Sequence, residues 1–140
     1  MIGAMGTSLD EIRVSILSDQ DIVAARQQGR ALAVRLEFSP GDSTLIATAI
    51  SELARNIVSY ARRGEIRIRS AQNGERPGIV IVALDDGPGI RDIAQAMRDG
   101  FSTSGGMGLG LPGVRRLMDD FDIVSEQGKG TTVTVKKWKL

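Results

Sequence analysis

Hydrophobic and polar positions change period several times along this chain, and each change predicts an element. In EIRVSIL, at residues 11–17, Ile12, Val14 and Ile16 alternate with Glu11, Arg13 and Ser15, the period-2 signature of a strand with one wet face. EIRIRS at 65–70 and TTVTVKK at 131–137 repeat the pattern. One-sided strands of this kind belong to a sheet whose other face is covered, most often an antiparallel or mixed one. IVIVAL at 79–84 is apolar throughout and predicts a central strand that ends abruptly at Asp85.

Helical spacing takes over between the strands. The first helix is expected over 19–36, with Ser18 as N-cap and Asp21 three residues on, close to a capping box. A second is expected over 43–61. At about 100° per residue its Ile46, Ile50, Leu53, Ile57 and Tyr60 share an arc of about 80°. Glu52 and Asn56 lie about 40° apart beside that arc, which places a carboxylate and an amide together at the rim of the core face. A third helix should begin at Pro112 and end near Asp120, with a short one around 93–99. The predicted order is β-α-α-β-β-α-β-β, a two-layer α/β sandwich with helices on one face of a mixed, mostly antiparallel sheet.

Length and composition narrow the chemistry. The 140 residues suit one domain, expected over 10–140 behind a flexible tail at 1–9, whose first six residues are either native or a tag remnant. Eighteen basic and seventeen acidic side chains leave a net charge of +1, so no global field draws the chain to nucleic acid or anionic lipid. Local clusters such as Arg62-Arg63 or Lys136, Lys137 and Lys139 read as solvated faces. With neither Cys nor His, the chain has no means of making a zinc finger, a thiolate nucleophile, a Ser-His-Asp triad or a phosphohistidine. No apolar run approaches the length of a membrane span and the N-terminus lacks a secretory layout, so a cytoplasmic location is expected.

Four strings carry candidate chemistry. DDGPGI at 85–90 puts a carboxylate at the end of a buried strand, followed by Gly87 and Gly89. Alone it is an ordinary turn, but a strand-end carboxylate can also accept a hydrogen bond from an exocyclic amine, and glycines let a flat ligand approach. STSGGMGLGLPG at 102–113 is a glycine-rich run feeding a helix start. It reads as a flexible linker or as a cradle of N–H groups for phosphate, though it is neither a Walker A loop nor a dinucleotide fingerprint. Glu52 and Asn56 read either as polar helix flanks or as a general base beside an oxygen ligand for Mg²⁺. GKGTT at 128–132 is a tight hairpin turn whose Lys129 and Thr131 are able to face a ligand.

Taken in order, an ExxxN helix, a strand ending in DxGxG, a GxGxG run before a helix and a GT turn resemble the GHKL ATPase/kinase superfamily of gyrase, Hsp90, histidine kinases and MutL. Its members share the Bergerat fold. DIVAARQ, ISELARNI, DDGPGI, MRDGFSTSGG, GLPGVRRLMDDF and the late Lys137-Trp138 look most like the RsbT-type serine kinases, the switch kinases of the stressosome. The resemblance implies ATP/ADP and Mg²⁺ as cofactors, Glu52 as catalytic carboxylate and Asn56 as metal ligand. It implies Asp85 on the adenine amino group, Gly87 and Gly89 shaping that pocket, Gly106, Gly108 and Gly110 facing the phosphates, and Thr131 reaching toward adenine. Tyr60 stands where many relatives place a His or an acidic residue. The implied lid over ATP is the short stretch 101–106. The implied function is phosphorylation of STAS-domain antagonists of the RsbS and RsbR type, followed by activation of a PP2C-type phosphatase of the RsbU type, with no nucleic acid and no membrane as partner. Two alternatives stay open: an anti-sigma factor kinase of the RsbW or SpoIIAB type, and a nucleotide-gated binding module without turnover.

Overall fold

The computed structural model describes residues 11–61, 63–90, 93–98 and 110–140. Its elements are β1 (Ile12–Ile16), α1 (Asp19–Arg35), α2 (Pro40–Tyr60), β2 (Gly64–Asn73), β3 (Arg76–Asp85), the one-turn α3 (Ile93–Ala96), α4 (Gly110–Leu117), β4 (Asp120–Glu126) and β5 (Gly130–Trp138). The order matches the hydrophobic pattern, including the short helix.

Local chemistry accounts for where the helices begin. At the start of α1 the Asp21 carboxylate accepts the Ser18 N–H at 3.1 Å and the Leu17 N–H at 2.8 Å, which satisfies donors that a helix leaves unpaired. α2 starts three residues earlier than periodicity alone suggests. Ser39 caps it by accepting the Asp42 N–H at 3.1 Å, and Pro40 occupies the first turn, where its missing N–H has no partner to lose. α4 likewise begins two residues before Pro112, at Gly110, and ends at Leu117 rather than Asp120 because the chain turns there into β4.

The five strands run in the order β1-β2-β3-β5-β4. Every pairing is antiparallel, so the sheet is more uniform than the mixed one expected. β3 is the central strand, as its unbroken apolar run requires. On the helix side Ile66, Ile68, Ile79, Ile81, Ala83, Val133 and Val135 meet Ile46, Ile50, Leu53 and Ile57 of α2, with Ile22, Ala25 and Leu32 of α1. The opposite face carries Val80, nearly inaccessible, between its cross-strand neighbours Arg69 and Lys136, whose aliphatic stems are long enough to cover it. Tyr60 departs from expectation: although it continues the apolar arc, it is the last residue of α2 and is 42% exposed.

Candidate functional site

Strand period and register together assemble one end of the site. Ile79, Ile81 and Ala83 face the helices, so Asp85, two residues further on, faces them too. In the β3–β5 register Asp85 lies opposite Thr131, and in the β4–β5 register Thr131 lies opposite Ser125. Asp85, Thr131 and Ser125 therefore form one polar row on the helix side, where the apolar rows of the core stop.

Hydrogen bonds organise this row. The Gly87 N–H donates to Asp85 Oδ1 at 2.8 Å, and the Thr131 amide lies across the strand pair from the same residue. Burial nonetheless dominates and pushes the Asp85 carboxyl above its ordinary value; the two amides pull it down and neighbouring Asp86 pushes it up further. Ser125 Oγ accepts the Ile90 N–H at 2.7 Å, lies 2.8 Å from Thr131 Oγ1 and reaches the Gly130 carbonyl at 3.3 Å. It thus ties the loop after β3 to the β4–β5 hairpin. The sequence strings did not single out Ser125, since nothing in its neighbours marks a residue whose role arises from register.

Two glycines are required by close backbone approach. Gly89 has φ +81°, and a Cβ there would stand 2.4 Å from the Glu126 carbonyl oxygen. Its value is thus in seating the loop on the hairpin, where the Gly128 N–H donates to the Pro88 carbonyl at 2.8 Å. Gly130 has φ +118°, and a Cβ would fall 2.0 Å from the Asp85 carbonyl oxygen. Gly130→Ala should therefore cost about 1–3 kcal/mol in backbone strain alone and displace Asp85, lowering both the thermal midpoint and ADP affinity. Thermal unfolding and calorimetry check this, and a variant matching wild type in both would remove the constraint.

The other side of the site is α2. Gly87 sits against its end, with space for a Cβ closed off by Ala61 Cβ at 2.9 Å and the Tyr60 carbonyl at 3.0 Å. Ser59, Tyr60, Ala61, Asp86, Gly87, Pro88 and Gly128 line an open cleft of about 540 Å³. At its edge Arg63 pairs with Asp86 at 2.8 Å, and this guanidinium holds the Asp86 carboxyl below the usual carboxylate range. Burial raises the Tyr60 hydroxyl.

Two turns back from that cleft, Glu52 is buried and Asn56 half-buried. Glu52 Oε1 accepts from Arg55 Nη1 at 2.7 Å, whereas Oε2 is buried and has no partner among the described residues. An unpaired buried acceptor is costly, and here it belongs to a carboxylate one helical turn from an amide. Gly110 opens α4, which packs against α2, with φ +67°. Gly106 and Gly108, like the lid at 101–106, lie outside the described residues.

Residues 41–140 match the model of the histidine kinase-, DNA gyrase B- and HSP90-like ATPase family. The chain belongs to this family. Over 92% of its length, and 97% of the relative's, it is 53% identical to the serine/threonine-protein kinase RsbT of Bacillus subtilis (strain 168). It is 32% identical to the anti-sigma F factor of Thermoanaerobacter sp. (strain X514), over 81% of this chain and 82% of that one. The margin between the two supports the RsbT-type resemblance seen in the motifs. Among solved structures, one of the RsbU and RsbW domains of a Mycobacterium tuberculosis protein aligns with TM-score 0.64 at 17% identity, covering 93% of this chain and 33% of that chain. The mycobacterial sensor histidine kinase MprB aligns with TM-score 0.55 at 16% identity, covering 91% and 97%. At such identities these two likenesses bear on the fold alone, and that fold is the Bergerat fold of the family. Among the described residues no helix is long and apolar enough to cross a membrane.

Proposed function

We propose that this chain is an ATP-dependent serine kinase of a bacterial partner-switching module, acting in the cytoplasm through a single domain at 10–140. Its substrate is an STAS-domain antagonist of the RsbS or RsbR type, and the kinase released from it activates a PP2C-type phosphatase of the RsbU type. The observation that carries this reading is the buried Oε2 of Glu52, one turn from Asn56 and without a hydrogen-bond partner among the described residues. A module that only binds nucleotide has no use for a buried acceptor without a donor; a kinase has, because a serine proton must go somewhere.

In this reading Asp85 accepts the adenine amino group, its carboxylate held by the Gly87 amide, while Thr131 presents its hydroxyl to the base. Gly106, Gly108 and Gly110 lead into α4 and offer backbone N–H groups to the phosphates. Among the described residues no three His, Cys, Asp or Glu side chains are grouped to hold a metal ion. That fits Mg²⁺ carried in with the triphosphate and sharing Asn56 as an oxygen ligand, which is how this ion commonly binds. When bound, it neutralises charge on the phosphate oxygens. The serine Oγ attacks the γ-phosphorus, the bond to the β,γ-bridging oxygen breaks, ADP leaves with that oxygen, and Glu52 Oε2 takes the serine proton.

We expect Mg²⁺-dependent transfer to one serine of an RsbS-like STAS protein from the same genome, with little activity on generic peptides. The phosphorylated product should bind more weakly, because its dianion faces Glu52 and the ADP phosphates. Mass spectrometry of the STAS protein after incubation with ATP, with binding measured for both forms, tests this. Robust phosphorylation of unrelated peptides, or undiminished affinity of the phosphorylated form, would count against partner switching.

A further inference from the structure

We infer that Arg55 is a positioning residue for Glu52, fixing which carboxylate oxygen is available to take the substrate's proton. The inference rests on the reading of Glu52 as base and adds to it a residue whose type the ExxxN spacing leaves unspecified.

The ion pairs of this chain differ in kind. Arg63–Asp86 and Lys129–Glu126 join side chains that are 74% and 49%, and 73% and 68%, exposed, so solvent screens both partners. In Arg55–Glu52 the guanidinium side chain is 41% exposed and the carboxylate side chain only 7%. The arginine therefore reaches back from the solvent margin to a carboxylate that water barely touches. Spacing i and i+3 on one helix, inside the ordered body of α2, leaves the pair little freedom to separate.

The geometry at the carboxylate follows from this. A carboxylate free to turn about its last torsion exposes either oxygen, and general-base catalysis needs one of them held within about 2.6–3.2 Å of the proton it removes. Arg55 engages Oε1 at 2.7 Å and leaves Oε2 as an acceptor without a partner among the described residues. The guanidinium, bonded to Oε1, also supplies the opposite charge that a buried carboxylate requires. A residue kept for stability alone would pair both oxygens or replace the acid by an apolar side chain, since leaving Oε2 unpaired costs free energy.

The test uses the whole chain with Arg55→Ala, Arg55→Lys, Glu52→Ala and the double variant Glu52→Ala/Arg55→Ala. Turnover is read as phosphotransfer to the STAS protein and as ATP hydrolysis, in which water takes the serine's place. Arg55→Ala should lower kcat about 10- to 100-fold, the scale expected for a misplaced catalytic group, while KM for ATP and the Kd for ADP stay within about twofold. Arg55→Lys should recover most of the loss, because a cation remains within reach. The double variant should be no slower than Glu52→Ala, because Arg55 acts only through Glu52. Without any ligand, Arg55→Ala should also lower the thermal midpoint, and adding Glu52→Gln in that background should restore part of it by removing the unpaired charge. Wild-type kcat in Arg55→Ala, an equal loss of ADP affinity, or multiplicative losses in the double variant would overturn the inference. If Glu52→Ala is inactive and Arg55→Ala is not, the inference alone fails. If Glu52→Ala keeps full turnover, the reading of Glu52 as base fails and takes the inference with it.

Discussion

Glu52→Ala should separate binding from chemistry, leaving ADP affinity within about twofold of wild type while phosphotransfer falls about 10²- to 10⁴-fold, the usual contribution of a positioned base. The separation follows from where Glu52 sits. It belongs to the buried middle of α2, whereas Asp85, Thr131 and the loop that holds them stand at the end of the sheet. Removing the carboxylate therefore leaves the row of Asp85, Thr131 and Ser125 intact. Calorimetry with ADP beside a phosphotransfer assay reads both quantities, and equal loss in both would make Glu52 a structural residue.

Asp85→Asn should do the opposite and remove nucleotide binding itself. An amide placed there can present a donor to the adenine amine in place of the carboxylate acceptor, at a cost of about 1–3 kcal/mol or more for the mispaired buried group. The pH dependence has a definite sign. Burial raises the Asp85 carboxyl, so its ionisation opposes folding: this group's contribution to stability is present below its ordinary pKa and lost as pH rises through the raised folded value. Loss of the charge in Asp85→Asn should thus leave the ligand-free midpoint at neutral pH close to wild type, even as ADP binding is lost. Wild-type ADP affinity should fall as acid protonates Asp85, beginning above the ordinary value of 3.8, and any residual binding by the variant should lack that step. Calorimetry across pH tests the assignment, which unchanged ADP affinity in the variant would sink.

Much of this molecule was legible without coordinates. Alternation in β1, β2 and β5 and the apolar run of β3 told which residues enter a core, because a strand's side chains can point only to two faces. The arc of Ile46, Ile50, Leu53 and Ile57 placed Glu52 and Asn56 at its rim, because a helix repeats every 3.6 residues whatever it packs against. Strand end, glycines and the ExxxN spacing were local enough to identify the family's motifs. What local spacing could not supply was pairing between distant segments. Asp85, Thr131 and Ser125 share a row only because β3, β5 and β4 hydrogen-bond in one particular register, and a shift by one residue would turn Thr131 to the opposite face. Gly89 makes room for the backbone of the hairpin, a neighbour that its own stretch of sequence does not reveal. Tyr60 fitted the apolar arc yet lies exposed, since the arc says which way a side chain points and not what packs against it. The Glu52–Arg55 spacing is plain in the sequence, but an i, i+3 pair becomes more than a surface contact only when the surrounding core dries one partner and leaves the other wet. Period and spacing are properties of a short stretch of chain and so are written in it; register and burial depend on every element at once, and only the folded structure decides them.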